Sequence, residues 1–558
     1  MTSDLGTSAP QRVPAQRRSP VAWRRPFEAW LDGIETGWAI PVLLAAFVAV
    51  WTAFFVVAYL DAGLHPDVLE AWSVGRFFEW GNAKHPPLMG WVTSFWSLVF
   101  PITDWSFQLL AMVNAAVALW AVDLTTRRFV RGDKRVIVLL LLMMLPAYQF
   151  HAQRFNANSV LLAVWPLATY CFLRSFETRA FGWAVAAGLC ATLAMLGKYY
   201  SIVLIIGFVI AAIVHPQRRA YFASPAPWVS TLAGFAALGP HLYWLATHDL
   251  APIAYAMSGH AGHDNMLTGI QDAGKFLIGI LAYFIIPAIT WLLMVRSNLR
   301  VFARDLRKIE PGLMLLLLIF MVSILLPAAV AVALNADLPA LWNLQGLFFV
   351  VIIAVAATTF AVDRFDTVNL AAIVLAFSLV AVAAAPFHAI YRNTHGFKEG
   401  RNFYRPAALE LTRRWHEISD TPFPAVSGDD NLAFAAAFYS PDHPIYARPF
   451  RYQSAWGMPR QVTLNKGWAA LCFADDRDCA DWMRKLEARP TRFVRSEFVL
   501  TSQLWGEKGV SATIVALIAP PRDPSSEPVL LPENERIEDF SASRRHIRFR
   551  PEARSDAP

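Results

Sequence analysis

Long apolar runs alternate with short polar breaks from residue 38 to residue 386. A bilayer-crossing helix needs about 20 mostly apolar residues. Runs near that length fall at 38–60, 105–123, 136–150, 159–174, 182–197, 200–214, 228–246, 276–295, 312–334, 340–362 and 368–386. The pattern predicts a mainly α, polytopic membrane protein of about eleven transmembrane helices, the third to sixth being the shortest. The first run is too long and begins too late for the apolar core of a cleaved signal. Residues 1–36, with Arg12, Arg17, Arg18, Arg24 and Arg25 among Pro and Ser, therefore read as a basic N-terminal arm.

After residue 386 the pattern changes. Pro424–Ser427 reads as a strand running into Gly428-Asp429-Asp430, and Asn431–Tyr439 as an apolar helix. Residues 467–473, 492–500 and 510–518 read as strands, and 481–488 as a helix. Residues 387–522 thus predict a soluble α/β domain that follows the membrane unit 37–386. Residues 523–558, rich in Pro, Ser, Glu and Arg, predict a disordered tail. No internal repeat of fixed period is present.

Composition agrees with this division. Of 558 residues, 56% are hydrophobic and 16% charged, against roughly 25% charged in soluble domains. The placement of charge adds orientation. With a cytoplasmic N-terminus, one set of loops carries Arg127, Arg128, Arg131, Lys134 and Arg135, then Arg174 and Arg179, Arg218 and Arg219, and Arg296, Arg300, Arg304, Arg307 and Lys308. The other set carries only Arg76, Lys84, Arg154, Lys198 and Lys275. That asymmetry is the positive-inside pattern. It accounts for the net charge of +7 without nucleic acid as a partner. An odd number of spans puts the C-terminal domain on the outer side. An oxidising compartment there would let Cys472 and Cys479 pair; Cys171 and Cys190 lie in apolar runs and read as inert.

The chemistry-bearing residues gather in the outer loops. In the first, 61–104, Val68, Leu69, Trp72, Phe77, Phe78 and Trp80 suit an amphipathic helix from Asp67 to Trp80 lying on the bilayer, with Pro66 in its first turn. Asp67 reads either as an ordinary N-terminal helix charge or as a site carboxylate. Glu70, Lys84 and His85 lie in the same loop. The second outer loop holds His151, Arg154, Asn156 and Asn158, and Asn158 is placed to cap the next helix. Lys198, between Gly197 and Tyr199-Tyr200, reads either as a snorkelling lysine or as a charge for a lipid phosphate. His241, His248, Asp249, His260, His263 and Asp264 cluster around another loop. Polar loop positions explain them, and a divalent metal on His260 and His263 is the alternative. The spans themselves are nearly free of charge, which disfavours a transporter with ionisable residues at the midplane.

The first loop has a spacing of its own: Asp67, Trp72 five residues on, Gly81, then Lys84-His85-Pro86-Pro87-Leu88. With Arg154-Phe155-Asn156-Ala157-Asn158 and Gly197-Lys198-Tyr199-Tyr200, it resembles the membrane glycosyltransferases of GT-C type. Within them it is similar to the protein mannosyltransferase / aminoarabinose (lipid A) transferase superfamily, close to the bacterial lipopolysaccharide galacturonosyltransferases. The resemblance covers about 40–390. It implies a multi-pass protein of the bacterial inner membrane with a periplasmic C-terminal domain. It implies inverting transfer of a sugar from a polyprenyl-phosphate donor to lipid A, lipopolysaccharide or another glycolipid, protein being the alternative acceptor. Asp67 falls on the catalytic loop aspartate and Lys198 on the lysine at the donor phosphate, with Lys84 and Arg154 as further phosphate contacts. Glu70, His85, Asn158 and Tyr199 are the remaining substrate-binding candidates. Relatives often carry an acidic residue where this chain has Lys84, and an Asp where it has Asn158. Both departures remove negative charge, which puts a bound divalent metal in doubt; Lys84 would meet an anion instead, and a non-catalytic scaffold with a degenerate site is the alternative to an enzyme.

Overall fold

In the computed structural model of this chain, residues 22–82, 84–248, 250, 252–253, 266–334, 338–446, 466–488 and 493–521 are described. The membrane part opens with α1 (Arg25–Thr36), α2 (Ala39–Ala58), α3 (Pro66–Gly75), α4 (Leu88–Ser97), α5 (Asp104–Thr126), α6 (Asp133–Met143), α7 (Ser159–Thr178), α8 (Phe181–Gly197) and α9 (Ile202–Val214). It continues with α10 (Arg218–Phe222), α11 (Ala226–Thr247), α12 (Met266–Met294), α13 (Leu299–Leu306), α14 (Pro311–Leu334), α15 (Phe348–Ala356) and α16 (Arg364–His395). Each of the eleven apolar runs coincides with a helix. Six of these helices, α2, α5, α7, α12, α14 and α16, are long and apolar enough to cross a membrane.

The shorter runs are interrupted for local reasons. Lys198 adopts an extended backbone and separates α8 from α9. A π-helical turn, Ala147–His151, follows α6. The run at 340–362 divides into a 3-10 turn, Ala340–Gly346, and α15. Enclosure ranks the spans. In α7, 83% of the apolar window is buried within the protein, against 28% in α12 and in α16. Helix α7 is therefore central. Helix α12 presents Ile278, Leu281, Ile285, Ile289 and Leu292 outward at the spacing of one helical face, as a lipid-facing helix should.

The C-terminal part comprises α17 (Tyr404–His416), β1 (Ala425–Gly428), α18 (Asp430–Tyr439), β2 (Ile445–Tyr446), β3 (Trp468–Phe473), α19 (Arg477–Glu487), β4 (Val494–Leu504) and β5 (Glu507–Ala519). The sheet order is β2-β1-β3-β5-β4. Strand β1 is parallel to β2 and β3, and β5 is antiparallel to β3 and β4. Trp505 and Gly506 turn the β4–β5 hairpin, both with positive φ, the backbone that matches a hairpin's twist. A disulfide joins Cys472 of β3 to Cys479 of α19.

Two expectations change here. The first-loop helix ends at Gly75, short of Trp80, and is enclosed by protein rather than presenting an apolar face outward. From Val68 to Gly75 every residue of α3 is buried. On one side it crosses α4 in backbone contact: a Cβ on Gly75 would stand 2.2 Å from the Gly90 carbonyl oxygen. On the other, Trp72 meets Phe438 of α18 edge-on, with ring centroids 5.2 Å apart. Secondly, α16 runs on past residue 386, and an apolar core extends without a break from the spans through α17 and α18 to Ile514 and Ile518. Polar contacts fasten both ends of α3 to the C-terminal part. Tyr439 Oη accepts from the Leu64 N–H at 2.7 Å and donates to Asp104 Oδ1 at 2.5 Å. The buried Arg401 donates twice to the Gly63 carbonyl, at 2.9 and 2.8 Å. Beyond Gly75, Arg76 donates to the carbonyls of His443 and Pro444. The C-terminal part thus buttresses the helix that carries Asp67.

Candidate active site

Helix α3 begins as the sequence predicts, with Pro66 in its first turn. Its cap is His65, whose Nδ1 accepts from the Asp67 N–H at 3.2 Å. Burial pushes the His65 imidazole down to about 4, against the opposing pull of the Asp67 carboxylate. It is neutral at pH 7 and free to accept. Asp67 and Glu70, three residues apart, share one helical face and point into a cavity of about 360 Å³. The opposite wall is made by Asn156 and Asn158 at the start of α7, by Lys198 and Tyr199 at the break between α8 and α9, and by Trp342.

The side chain that caps α7 is Asn156 and not the expected Asn158. Asn156 Oδ1 accepts from the N–H groups of Asn158 and Ser159, at 2.8 and 3.0 Å. Its Nδ2 donates to Asp67 Oδ2 at 2.7 Å. One amide therefore caps the central helix and holds the carboxylate. Asn158 makes no capping bond; its Oδ1 accepts from Lys198 Nζ at 2.8 Å. Lys198 does not snorkel. Its ammonium lies 3.6 Å from the Trp342 ring centre, a cation–π contact. Enclosure pushes its pKa well below the usual lysine range, with Asp67 opposing. Enclosure disfavours the charged form, so this lysine holds its proton best with an anion beside it, as Asp67 or a phosphate would be. Asp67 Oδ1 accepts no hydrogen bond from the described residues, and its side chain is 40% exposed.

The remaining candidates are distributed as follows. Lys84 lines the cavity, but its ammonium chelates the Glu70 carboxylate at 3.0 and 2.9 Å. His85 is also a lining residue. Burial, with Lys84 and Lys198 beside it, drives its pKa well below the imidazole range, so it is neutral. Asn82 Oδ1 pins this turn by accepting from the N–H groups of Lys84 and His85. Tyr199 Oη pairs with His241 Nε2 at 3.0 Å, and His241 Nδ1 with the Trp80 carbonyl at 2.5 Å. Arg154 is exposed and is absent from the cavity wall. No described residue of the C-terminal part lines the cavity. Asn156 and Trp342 were missed as site residues. Asn156 lay in a motif already singled out, whereas nothing in the sequence marks Trp342.

A divalent metal does not suit this donor set. Two ammonium groups stand among the carboxylates, and Glu70 is already neutralised by one of them. Among the described residues no three His, Cys, Asp or Glu converge. His260, His263, Asp249 and Asp264 lie outside the described residues.

The Glu70–Lys84 pair has a testable consequence. Removing one partner of a buried ion pair leaves an uncompensated charge and costs about 3–5 kcal/mol. Lys84→Met is expected to lower the thermal midpoint of the purified protein strongly. Glu70→Gln combined with Lys84→Met should recover most of the loss. Equal midpoints for wild type and Lys84→Met would show that the pair does not hold the loop.

Comparison with known proteins bears on the fold. Residues 84–244 match the family model described as dolichyl-phosphate-mannose-protein mannosyltransferase. That segment contains Asn156, Asn158, Lys198 and His241 and begins after Asp67. The crystal structure of ArnT from Cupriavidus metallidurans bound to undecaprenyl phosphate superposes with a TM-score of 0.54 at 14% identity, over 86% of this chain and 98% of that one. The apo structure of the same protein gives 0.54 at 13% identity, with the same coverage. No curated protein sequence matches this chain.

Proposed function

We propose, from the ArnT-like fold of this chain and the family match over residues 84–244, that it is a membrane glycosyltransferase of GT-C type using a polyprenyl-phosphate sugar donor. The observation that carries the reading is the facing of Asp67, its Oδ1 without a hydrogen bond from the described residues, and the Lys198 ammonium across one cavity. Those are the two charges that glycosyl transfer from a phosphate requires. An acceptor hydroxyl attacks the anomeric carbon, and the bond from that carbon to the phosphate oxygen breaks. The acceptor proton passes to Asp67. The polyprenyl phosphate leaves as an anion, stabilised by Lys198. Attack opposite the leaving group inverts the anomeric configuration. Where the acceptor is itself a phosphate, Asp67 orients it instead.

An apolar groove of about 480 Å³ supports a prenyl-chain ligand. It runs between α8, α9 and α11, and its wall includes Met195 and Ile202, which flank Lys198 in sequence. The ArnT neighbour was solved with undecaprenyl phosphate, which favours the same carrier here. The proposed acceptor is lipid A, lipopolysaccharide or another glycolipid, reached from the periplasmic side of the inner membrane. The disulfide Cys472–Cys479 supports that side for the C-terminal part.

The test is reconstitution. Purified protein is given undecaprenyl-phosphate-linked uronic acid, aminoarabinose or hexose, with rough lipopolysaccharide as acceptor. One donor should release undecaprenyl phosphate and add one sugar mass to the acceptor. Release from none of them, by protein that still binds undecaprenyl phosphate, would contradict the reading.

A further inference from the structure

The far end of the central helix carries a second cavity, of about 380 Å³, which the proposed reaction does not use. Helix α7 has 20 residues, so its ends stand roughly 30 Å apart. Its N-terminal end bears Asn156 and Asn158, and its C-terminal end bears Arg174. Around Arg174 converge Arg127, Arg128 and Arg131 of the α5–α6 connection and Arg135 of α6, with Glu35 of α1.

The pairing inside this cluster is incomplete. Arg135 is held by Asp123 through two bonds, at 3.0 and 2.7 Å. Arg128 and Arg174 share Glu177, at 2.6 and 3.4 Å. Glu35 accepts from the Gly132 N–H at 2.7 Å, which fixes the loop between them. Arg127 and Arg131 are exposed, and neither makes an ion pair with any described residue. Five guanidinium groups therefore face three carboxylates. The paired arginines are fixed in place, and the two unpaired ones are exposed to solvent. Topology signalling explains an excess of arginine on this side. It does not require that five arginines converge on one concave, polar pocket. Guanidinium groups bind phosphate oxygens in a two-pronged fashion, and basic pockets between spans take the headgroups of anionic lipids.

We infer that this cavity binds a phosphate anion, a phosphodiester lipid headgroup or free phosphate, on the face opposite the candidate active site. Arg127 and Arg131 supply the attraction, and the paired Arg128, Arg135 and Arg174 are held in place around them.

The experiment uses the full-length protein, purified in detergent. Native mass spectrometry measures retained phosphatidylglycerol against phosphatidylcholine, and a thermal-shift titration uses inorganic phosphate. The variants are Arg127→Gln/Arg131→Gln and a control of equal charge, Arg296→Gln/Arg300→Gln. The first pair breaks no ion pair in the structure, so its thermal midpoint should match wild type. Preference for phosphatidylglycerol is expected in wild type and in the control, falling about tenfold or more in Arg127→Gln/Arg131→Gln. That result assigns a lipid headgroup. Stabilisation by inorganic phosphate that vanishes only in the same variant, without lipid preference, assigns the free anion. Equal behaviour of the two double variants, or no preference and no stabilisation in wild type, would overturn the inference.

Discussion

Asp67→Asn is expected to reduce sugar transfer by roughly 10²–10⁴-fold, the range for a lost acid–base group, while leaving the folded protein intact. The substituted amide oxygen can still accept from Asn156 Nδ2, which now lies 2.7 Å from Asp67 Oδ2. The cap of α7 is therefore kept, as is the His65 bond to the backbone N–H of residue 67. What disappears is the negative charge and the basicity of the free carboxylate oxygen. The check is the rate of glycosyl transfer per mole of purified protein, beside a melting curve. Unchanged melting with the large rate loss is the expected pair of results. Activity within a few-fold of wild type would make Asp67 an ordinary charge at the start of α3.

Lys198→Met is expected to lower turnover by about 10²–10³-fold, as when a donor is removed from a developing oxyanion. Met keeps the stem that passes Trp342 but cannot bond Asn158 or meet a phosphate. The leaving polyprenyl phosphate would then develop its charge without the cation now enclosed beside it. The variant should also bind undecaprenyl phosphate more weakly, seen as a weakened inhibition of transfer by that product. Asn158→Ala separates this role from support of the fold. It removes the hydrogen bond to the ammonium but not the charge, so its loss should stay within about tenfold. Equal losses in the two variants would mean that Lys198 serves only to tie the α7 and α8 ends together.

Much of this site was legible because polar residues stand out against apolar runs. Asp67 and Lys198 were marked in that way, and Pro66 set the start of α3. The partnerships were not legible. Asp67 and Asn156 are 89 residues apart in the chain, and only the docking of α3 beside the start of α7 makes them neighbours. Lys84 stands in the cavity wall as a contact for a ligand anion would, but its pairing with Glu70, three residues from Asp67 on the same face, leaves no pattern in sequence. The amphipathic pattern of α3 was correct as a pattern but misread as facing lipid. Its apolar side meets Phe438 instead, and local periodicity carries no information about which apolar surface will cover a helix. The strands and α18 of the C-terminal part were visible in alternation and turn residues. Its attachment to α3 through Tyr439, Arg401 and Arg76 was not, because single polar contacts leave no pattern in sequence.

The central claim is that the cavity between Asp67 and Lys198 transfers one sugar to a glycolipid. Mass spectrometry of lipid A and core oligosaccharide tests it most directly, in cells lacking the gene and in the same cells carrying wild type or Asp67→Asn at matched expression. The account predicts a species heavier by one sugar residue that disappears with the gene, returns with wild type and stays absent with the variant. Identical spectra in all three strains, or restoration by Asp67→Asn, would contradict it.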